Sequence, residues 1–355
     1  MTESTMRPPE NKFLLPPLVY KSIADARYDK KRIEGKIVKS ATELLRPPQQ
    51  SQLMRRNVSK ITWDASEGFW SLMGQLGHSV MESHAPDSAI VEKRLYVDMG
   101  NDFVMSVRSD CLLPVELAYW DSSWDKDLYY EFDEESGEYR LNMPEVWTTP
   151  IQWLTGEMCV TDHKFTSTYA YVLSDKPDWE WQLNMYYYAY ARAGVKLSPI
   201  MFNYLYFRDW TSYKAMQQAD YPDCAFHSME WQAKPMDEIA DFIRNQFKMH
   251  QSQNEVQPDD LIECTSEEQW EKPTSYACMK KGAKMAKKVF KEANGGRDAA
   301  VLWEQEQKTR YEIIERIGEK TRCERFCKAK PFCRQFVREG GKSDSTGEEL
   351  GFESQ

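Results

Sequence analysis

Between residues 66 and 207 the chain alternates between helical and strand spacing of its apolar residues, and that series leaves few architectures open. Over 66–83, Phe69, Leu72, Met73, Leu76 and Val80 recur at intervals that place them along one helix. Over 90–99 and 103–113, Val, Leu, Tyr and Phe crowd two short runs. Gly100, Asn101 and Asp102 separate those runs and are suited to the positive φ angles of a hairpin turn. A strand is expected at 157–165, a helix at 178–193 and a strand at 199–207, where Phe202, Tyr204 and Tyr206 alternate. A further amphipathic helix runs through Ile239, Phe242, Ile243 and Phe247 over 236–249. Elements in this order bury their apolar sides as α/β layers, a central mixed sheet flanked by helices.

Around this centre the expected organisation is a polar, Pro-containing arm at 1–37, a core over 38–255 with an acidic, aromatic insertion at 114–150, a helical cysteine-rich extension at 256–339, and a Gly/Ser/Glu-rich disordered tail at 340–355. A helix and turn punctuated by Pro47-Pro48 is expected over 40–53. With 355 residues, 41% hydrophobic and 13% aromatic, the chain has ample material for a core. It carries no apolar run of about 18 residues, so no membrane-spanning helix is expected. The start lacks a basic region followed by an apolar one, which points to the cytoplasm (the host's, if a phage encodes the chain). The balance of 46 basic against 56 acidic residues excludes a uniformly basic nucleic-acid coat and leaves a local basic groove open.

Four features carry chemistry. Gly74, His78 and Glu82 follow one another at spacing four inside the helix over 66–83, which puts His78 and Glu82 a turn apart on one face. Asp110 lies in the hairpin strand. Asp162-His163-Lys164 closes the next strand, so the carboxylate and the ammonium share one side of the sheet. Gln182 and Tyr186, again at spacing four, open the following helix. Two strand carboxylates with a lysine beside one of them suit metal-dependent phosphodiester hydrolysis. Hard carboxylate oxygens hold Mg²⁺, an added imidazole favours Mn²⁺, and the ion lowers the pKa of a bound water. Taken singly, each feature also has a plain structural explanation, Asp162 and Lys164 as an ordinary ion pair above all.

As an ordered set they resemble the RecB-like branch of the PD-(D/E)XK (restriction-endonuclease-like) nuclease superfamily, in particular the stand-alone RecB-like exonucleases of phages and CRISPR systems. The resemblance rests on Gly74-Gln-Leu-Gly-His78-Ser-Val-Met-Glu82, Asp110, Asp162-His163-Lys164 and Gln182-Leu-Asn-Met-Tyr186, and it covers about residues 38–210. It implies an αβββαβ core and cleavage of DNA. Its implied metal ligands are His78, Asp110, Asp162 and the backbone carbonyl of His163, for Mg²⁺ or Mn²⁺. Lys164, Gln182 and Tyr186 would complete the catalytic set. Residues 111–161 separate the two aspartates, a longer connection than the family's usual one. Asp121, Asp125 and Asp127 are the fallback candidates for Asp110. The activity implied is a DNA exonuclease acting on ends or single strands in phage-type recombination, with a phage recombinase or single-strand-binding protein as partner. An endonuclease of the same fold, or a DNA-binding recombination partner with a vestigial site, is the alternative.

Cys323, Cys327 and Cys333 form a second constellation, three thiols close enough in sequence to bend round one centre. Cys264 is the first candidate for a fourth ligand and Cys278, expected in a helix, the second, while Cys111, Cys159 and Cys224 read as buried apolar residues. The family resemblance implies a [4Fe-4S] cluster here, and zinc is the alternative. Between these cysteines, Lys280, Lys284, Lys287, Lys288 and Lys291 are expected to line one face of a helix that tracks DNA phosphates. Trp179, Trp181, Tyr186, Tyr187 and Tyr188 are either core or a stacking surface for unpaired bases.

Overall fold

The computed structural model describes residues 7–25, 33–118, 130–133, 138–141, 156–172 and 176–340. Asp121, Asp125, Asp127, most of the 114–150 insertion and the tail beyond Gly340 lie outside the described residues. The chain divides into two compact units, one of residues 8–46 and 63–251, the other of residues 1–7, 47–62 and 252–355.

The larger unit is built on mixed sheets. The segment expected to be a polar arm contains a helix, α1 (Pro17–Ala24), opened by Pro17 in its first turn. β1 (Ile37–Ser40) leads into α2 (Ala41–Leu44), where the Ser40 and Glu43 side chains cap each other's backbone N–H groups. An Asp64 cap and a short 3₁₀ turn start α3 (Phe69–Ser83). Next come β2 (Ile90–Val91), β3 (Arg94–Gly100) and β4 (Phe103–Arg108). The β3–β4 turn is made as expected by Gly100, Asn101 and Asp102, all at positive φ, and the Gly100 N–H donates to the Asp98 carboxylate at 2.8 Å.

The run expected to be one strand over 103–113 is broken at Ser109-Asp110 and resumes as β5 (Cys111–Pro114). β4 belongs to the sheet β1-β4-β3, and β5 to a second sheet. Asp110 is therefore not a strand residue but sits at the joint where the chain passes between two sheets. β6 (Tyr130–Asp133) and β7 (Glu138–Leu141) pair as a separate hairpin. β8 (Met158–Thr166), α4 (Pro177–Arg192) and β9 (Ile200–Phe207) form a crossover that returns β9 parallel to β8. β10 (Phe226–Gln232) pairs antiparallel with β9, completing the order β10-β9-β8-β5-β2. α5 (Met236–Ser252) packs Ile239, Ile243 and Phe247 into the same core as Leu183, Met185, Val160 and Met201.

Pro177 in the first turn, Asp178 and Glu180 at the positive end and Arg192 at the other make α4 well matched to its dipole. Helix α3 departs from expectation. Phe69, Met73, Leu76 and Val80, the stripe whose spacing marks the helix, are 38 to 54% exposed. It packs tightly on the sheet at Gly77, where an added Cβ would run into the Phe165 ring of β8.

The smaller unit is not the helical extension expected. β11 (Ser275–Met279) is the central strand of a three-stranded antiparallel sheet, between β12 (Lys288–Lys291) and β13 (Glu312–Arg316). α6 (Gly296–Gln305) packs Ala300 onto Tyr276 and Cys278 of β11. The lysine-rich segment is thus a hairpin rather than a helix. Gly282 turns it at φ 78°, and its lysines are exposed but share no helical face.

Candidate active site

β8 carries the site because adjacent residues of a strand face opposite ways. Asp162 and Lys164 point to the side covered by α4, and His163 and Phe165 to the side covered by α3. On the α4 side the polar groups form a closed network. The Lys164 ammonium lies 2.8 Å from the Asp162 carboxylate and donates to the Gln182 amide oxygen at 2.8 Å. The Gln182 amide donates to Asp162 at 3.3 Å and to the Tyr186 hydroxyl at 2.6 Å. Asp162 is 2% exposed, and burial pushes its pKa up to about 6 against the pull of Lys164, with the charge of Asp110 adding to the rise.

On the other side α3 brings His78 to Asp110. Nδ1 of His78 lies 3.3 Å from one Asp110 oxygen, and the His163 backbone N–H donates to the other at 2.8 Å. Burial works against ionising Asp110. The hydrogen bond and charge of His78, the His163 N–H and the charge of Lys164 outweigh it and hold the carboxyl below its ordinary range. The Asp110 hydrogen bond raises His78. The His163 ring, stacked on Tyr206 and hydrogen-bonded to its hydroxyl at 2.9 Å, is lowered to about 4 by burial.

Two residues join the site that sequence reasoning did not find. Glu92 sits between β2 and β3 at φ 48°, a strained angle for a side chain of its type, and its carboxylate lies 4.0 Å from His78 and 2.8 Å from the Arg108 guanidinium. Burial raises its pKa while Arg108 opposes the rise. Among the described residues, His78, Glu92 and Asp110 are the His/Cys/Asp/Glu group whose ligand atoms all lie within 4.8 Å of one another. An open cleft of about 160 Å³ exposes these three, together with Glu82 and His163. Nothing in the sequence around Glu92 marks it. Asn203 did leave a signal, as a lone polar residue on the buried side of β9 between Met201 and Leu205. Its amide donates to Asp162 at 3.0 Å, and its oxygen accepts from the Trp231 indole at 2.9 Å.

The expected residues therefore fall into two electrostatically linked groups. Asp110 and His78 line the cleft with Glu92, while Asp162, Lys164, Gln182 and Tyr186 bond to one another behind it. An imidazole with two carboxylates fits a divalent cation with waters left on it, and the nitrogen suits Mn²⁺ better than Mg²⁺. Both Asp162 oxygens already accept hydrogen bonds, so ligation by Asp162 requires one to be exchanged.

In the smaller unit Cys264, Cys323, Cys327 and Cys333 converge. All four thiols are raised in pKa, by burial first; for Cys264, Cys323 and Cys327 the charges of other cysteines in the set add to the rise, and Cys323 reaches about 11. Backbone N–H groups of Ala329 and Lys330 point at the Cys327 sulfur, and those of Gln335 and Phe336 at the Cys333 sulfur. The Cys264 thiol donates to Gln49 at 3.3 Å, and Gln335 bonds both the N–H and the C=O of Cys264. Cys278 lies elsewhere, buried on β11 against Ala300, and Cys224 is exposed rather than buried. Trp181 is stacked on Phe242 at 3.7 Å, and Tyr186 and Tyr188 belong to the core.

No family model matches the chain, and no curated protein matches it. The crystal structure of SSO0001 aligns with 66% of this chain and 85% of its own at 11% identity, with a TM-score of 0.36. No helix among the described residues is long and apolar enough to cross a membrane.

Proposed function

We propose that the protein is a metal-dependent deoxyribonuclease with a PD-(D/E)XK core of the RecB-like kind, acting on DNA ends as an exonuclease. The observation that carries this reading is the position of Asp110. It is bonded at once to His78 and to the His163 peptide, and it is coupled electrostatically to Asp162 and Lys164. Those five positions, His78, Asp110, Asp162, His163 and Lys164, come from a helix, an inter-sheet joint and a strand, in the order the resemblance implies. The succession α3, β3–β4–β5, β8, α4, β9 also supports it.

His78, Glu92 and Asp110 would hold Mg²⁺ or Mn²⁺ at the cleft, and the resemblance adds Asp162 and the His163 carbonyl as ligands. When bound, the ion polarises the phosphate and makes hydroxide accessible near neutral pH. In this reading Lys164, released from its bonds to Asp162 and Gln182, would orient the attacking water and offset charge on the transition state. Gln182 holds the Lys164 ammonium in place, and Tyr186 holds Gln182. The exposed lysines of the β11–β12 hairpin, Lys280, Lys284, Lys287, Lys288 and Lys291, supply phosphate contacts in this reading.

The cysteine quartet fits a soft-metal group, with N–H donors already aimed at two sulfurs. Four thiolates on a single zinc at 2.3 Å would stand about 3.8 Å apart. A [4Fe-4S] cluster is what the resemblance implies for this quartet, with zinc the alternative.

The test is digestion of end-labelled linear duplex with Mn²⁺. Wild type degrades the linear DNA and spares a closed circle of the same sequence, while Asp110→Ala and Lys164→Ala leave both intact. Cleavage of the circle would make the enzyme an endonuclease. Unchanged cleavage by Asp110→Ala would remove the assignment.

A further inference from the structure

Beyond the cleft, the C-terminal ends of β8 and β9 carry a group of aromatic rings with cations on them that the site above does not use. Trp70 of α3 is 53% exposed, and the Arg208 guanidinium lies over its ring, 4.6 Å from the centroid. Tyr169, just past β8, is 58% exposed, with the Lys214 ammonium 5.7 Å from its centroid. Neither Arg208 nor Lys214 forms an ion pair among the described residues, although Asp209 stands between them in the chain. The Asp209 carboxylate is occupied by the Thr168 N–H at 2.7 Å.

Trp70, Gly74 and His78 follow one another at spacing four, so they line one side of α3 over about 12 Å. The middle position is open, and a Cβ added at Gly74 would meet nothing within 4 Å. Glycine weakens a helix interior, and among the described residues no packing contact requires it there. A second chain passing close to the helix would.

We propose that the Trp70–Gly74–His78 side of α3, with Arg208 and the Tyr169–Lys214 pair, is a subsite for an unpaired DNA strand. A base stacks on Trp70, phosphates lie against Arg208 and Lys214, and the backbone crosses Gly74 to reach the cleft at His78. Exposed aromatics interleaved with unpaired cations are the combination that binds single strands without regard to sequence, because every base has a π face. This rests on the nuclease reading and adds where the strand lies.

The test measures anisotropy of a labelled oligothymidylate and of a blunt duplex with the full chain in EDTA, where nothing is cut. Mn²⁺-dependent cleavage and melting temperature are followed in parallel. Trp70→Ala weakens oligothymidylate binding about tenfold, and Trp70→Phe restores most of it. Gly74→Leu melts no lower than wild type yet binds about tenfold more weakly, an effect that a purely structural role for the glycine would not give. Arg208→Ala lowers the salt slope by about 0.7. If wild type cleaves DNA and both Trp70→Ala and Gly74→Leu bind the oligonucleotide like wild type, the subsite is wrong while the nuclease reading stands. If wild type neither binds nor cleaves DNA, the nuclease reading falls and takes the subsite with it. Weakening of duplex and oligothymidylate binding to the same degree would also overturn an unpaired-strand subsite.

Discussion

The cleft triad and the cysteine quartet, the two candidate metal sites, are assembled in opposite ways. His78, Glu92 and Asp110 are hard or intermediate donors, held in place by a sheet and helix whose apolar core is complete without them. Their carboxylates and imidazole satisfy one another and Arg108. The four thiols sit in a region with little core beneath them: Leu53, Leu261 and Ala329, with Cys327 and Cys333 themselves counted among the packing residues. Burial disfavours their thiolates. The first site is already assembled and, in the proposed reading, would act on a substrate once an ion binds. The second, in the proposed reading, would gain stability from its metal, because metal binding there would be folding free energy.

The sharpest way to break that contrast is at Asp110. Asp110→Ala is expected to lower Mn²⁺-dependent cleavage by at least about 10³-fold without shifting the melting temperature by more than a few degrees, since a solvated cleft can refill with water. A large loss of stability would show that the triad is structural.

At the quartet the effects are expected to reverse. Cys333→Ser, followed by calorimetry, should lower the melting temperature by about 10 °C or more, as loss of a structural metal removes several kcal/mol. EDTA should stop cleavage and leave that melting unchanged. A brown preparation absorbing near about 400 nm would mark iron–sulfur rather than zinc. Four freely titratable thiols in the purified protein would remove both metals.

Glu92 tests how the triad divides its labour. Glu92→Gln should raise the Mn²⁺ concentration for half-maximal cleavage by about 10- to 100-fold, with little change in the rate at saturation. An unchanged metal requirement would leave Glu92 as no more than the partner of Arg108.

The smallest effect concerns a histidine in neither centre. His250 is fully buried in the larger unit, with its ring 3.3 Å from the Leu44 carbonyl, and burial lowers its pKa to about 4. Between its unfolded value near 6.5 and about 4, the unfolded chain binds the proton and the folded one does not. Its contribution is therefore fully present above about pH 6.5 and is lost as the pH falls toward 4. Denaturant melts at stepped pH should show a slope that His250→Gln flattens.

Local physics made much of this chain legible. The β3–β4 turn needs three residues that accept positive φ, and Gly100-Asn101-Asp102 provides them in any context. Helix α4 carries its own proline start and charge pattern, and β9 its own alternation. The spacing of Gln182 and Tyr186 fixed that they share a face, and they do share a hydrogen bond. The lysine segment failed because spacings of three and four also occur by chance in a lysine-rich run. Pairing with β11 overrode the helical reading. On α3, periodicity located the helix but not the side that faces the sheet, which small residues and a histidine occupy instead of the apolar stripe.

By itself, then, the sequence determined most elements of the centre and singled out most of the residues that gather there, because period, turn chemistry and motif spacing act within a few residues. Tertiary structure alone decided that the strand carrying Asp110 breaks between two sheets, that Glu92 turns toward His78, and that Asn203 and Trp231 close the network around Asp162. Those outcomes depend on which chain segments come to lie side by side. Burial and pairing between residues far apart in sequence set them, and no local pattern encodes either.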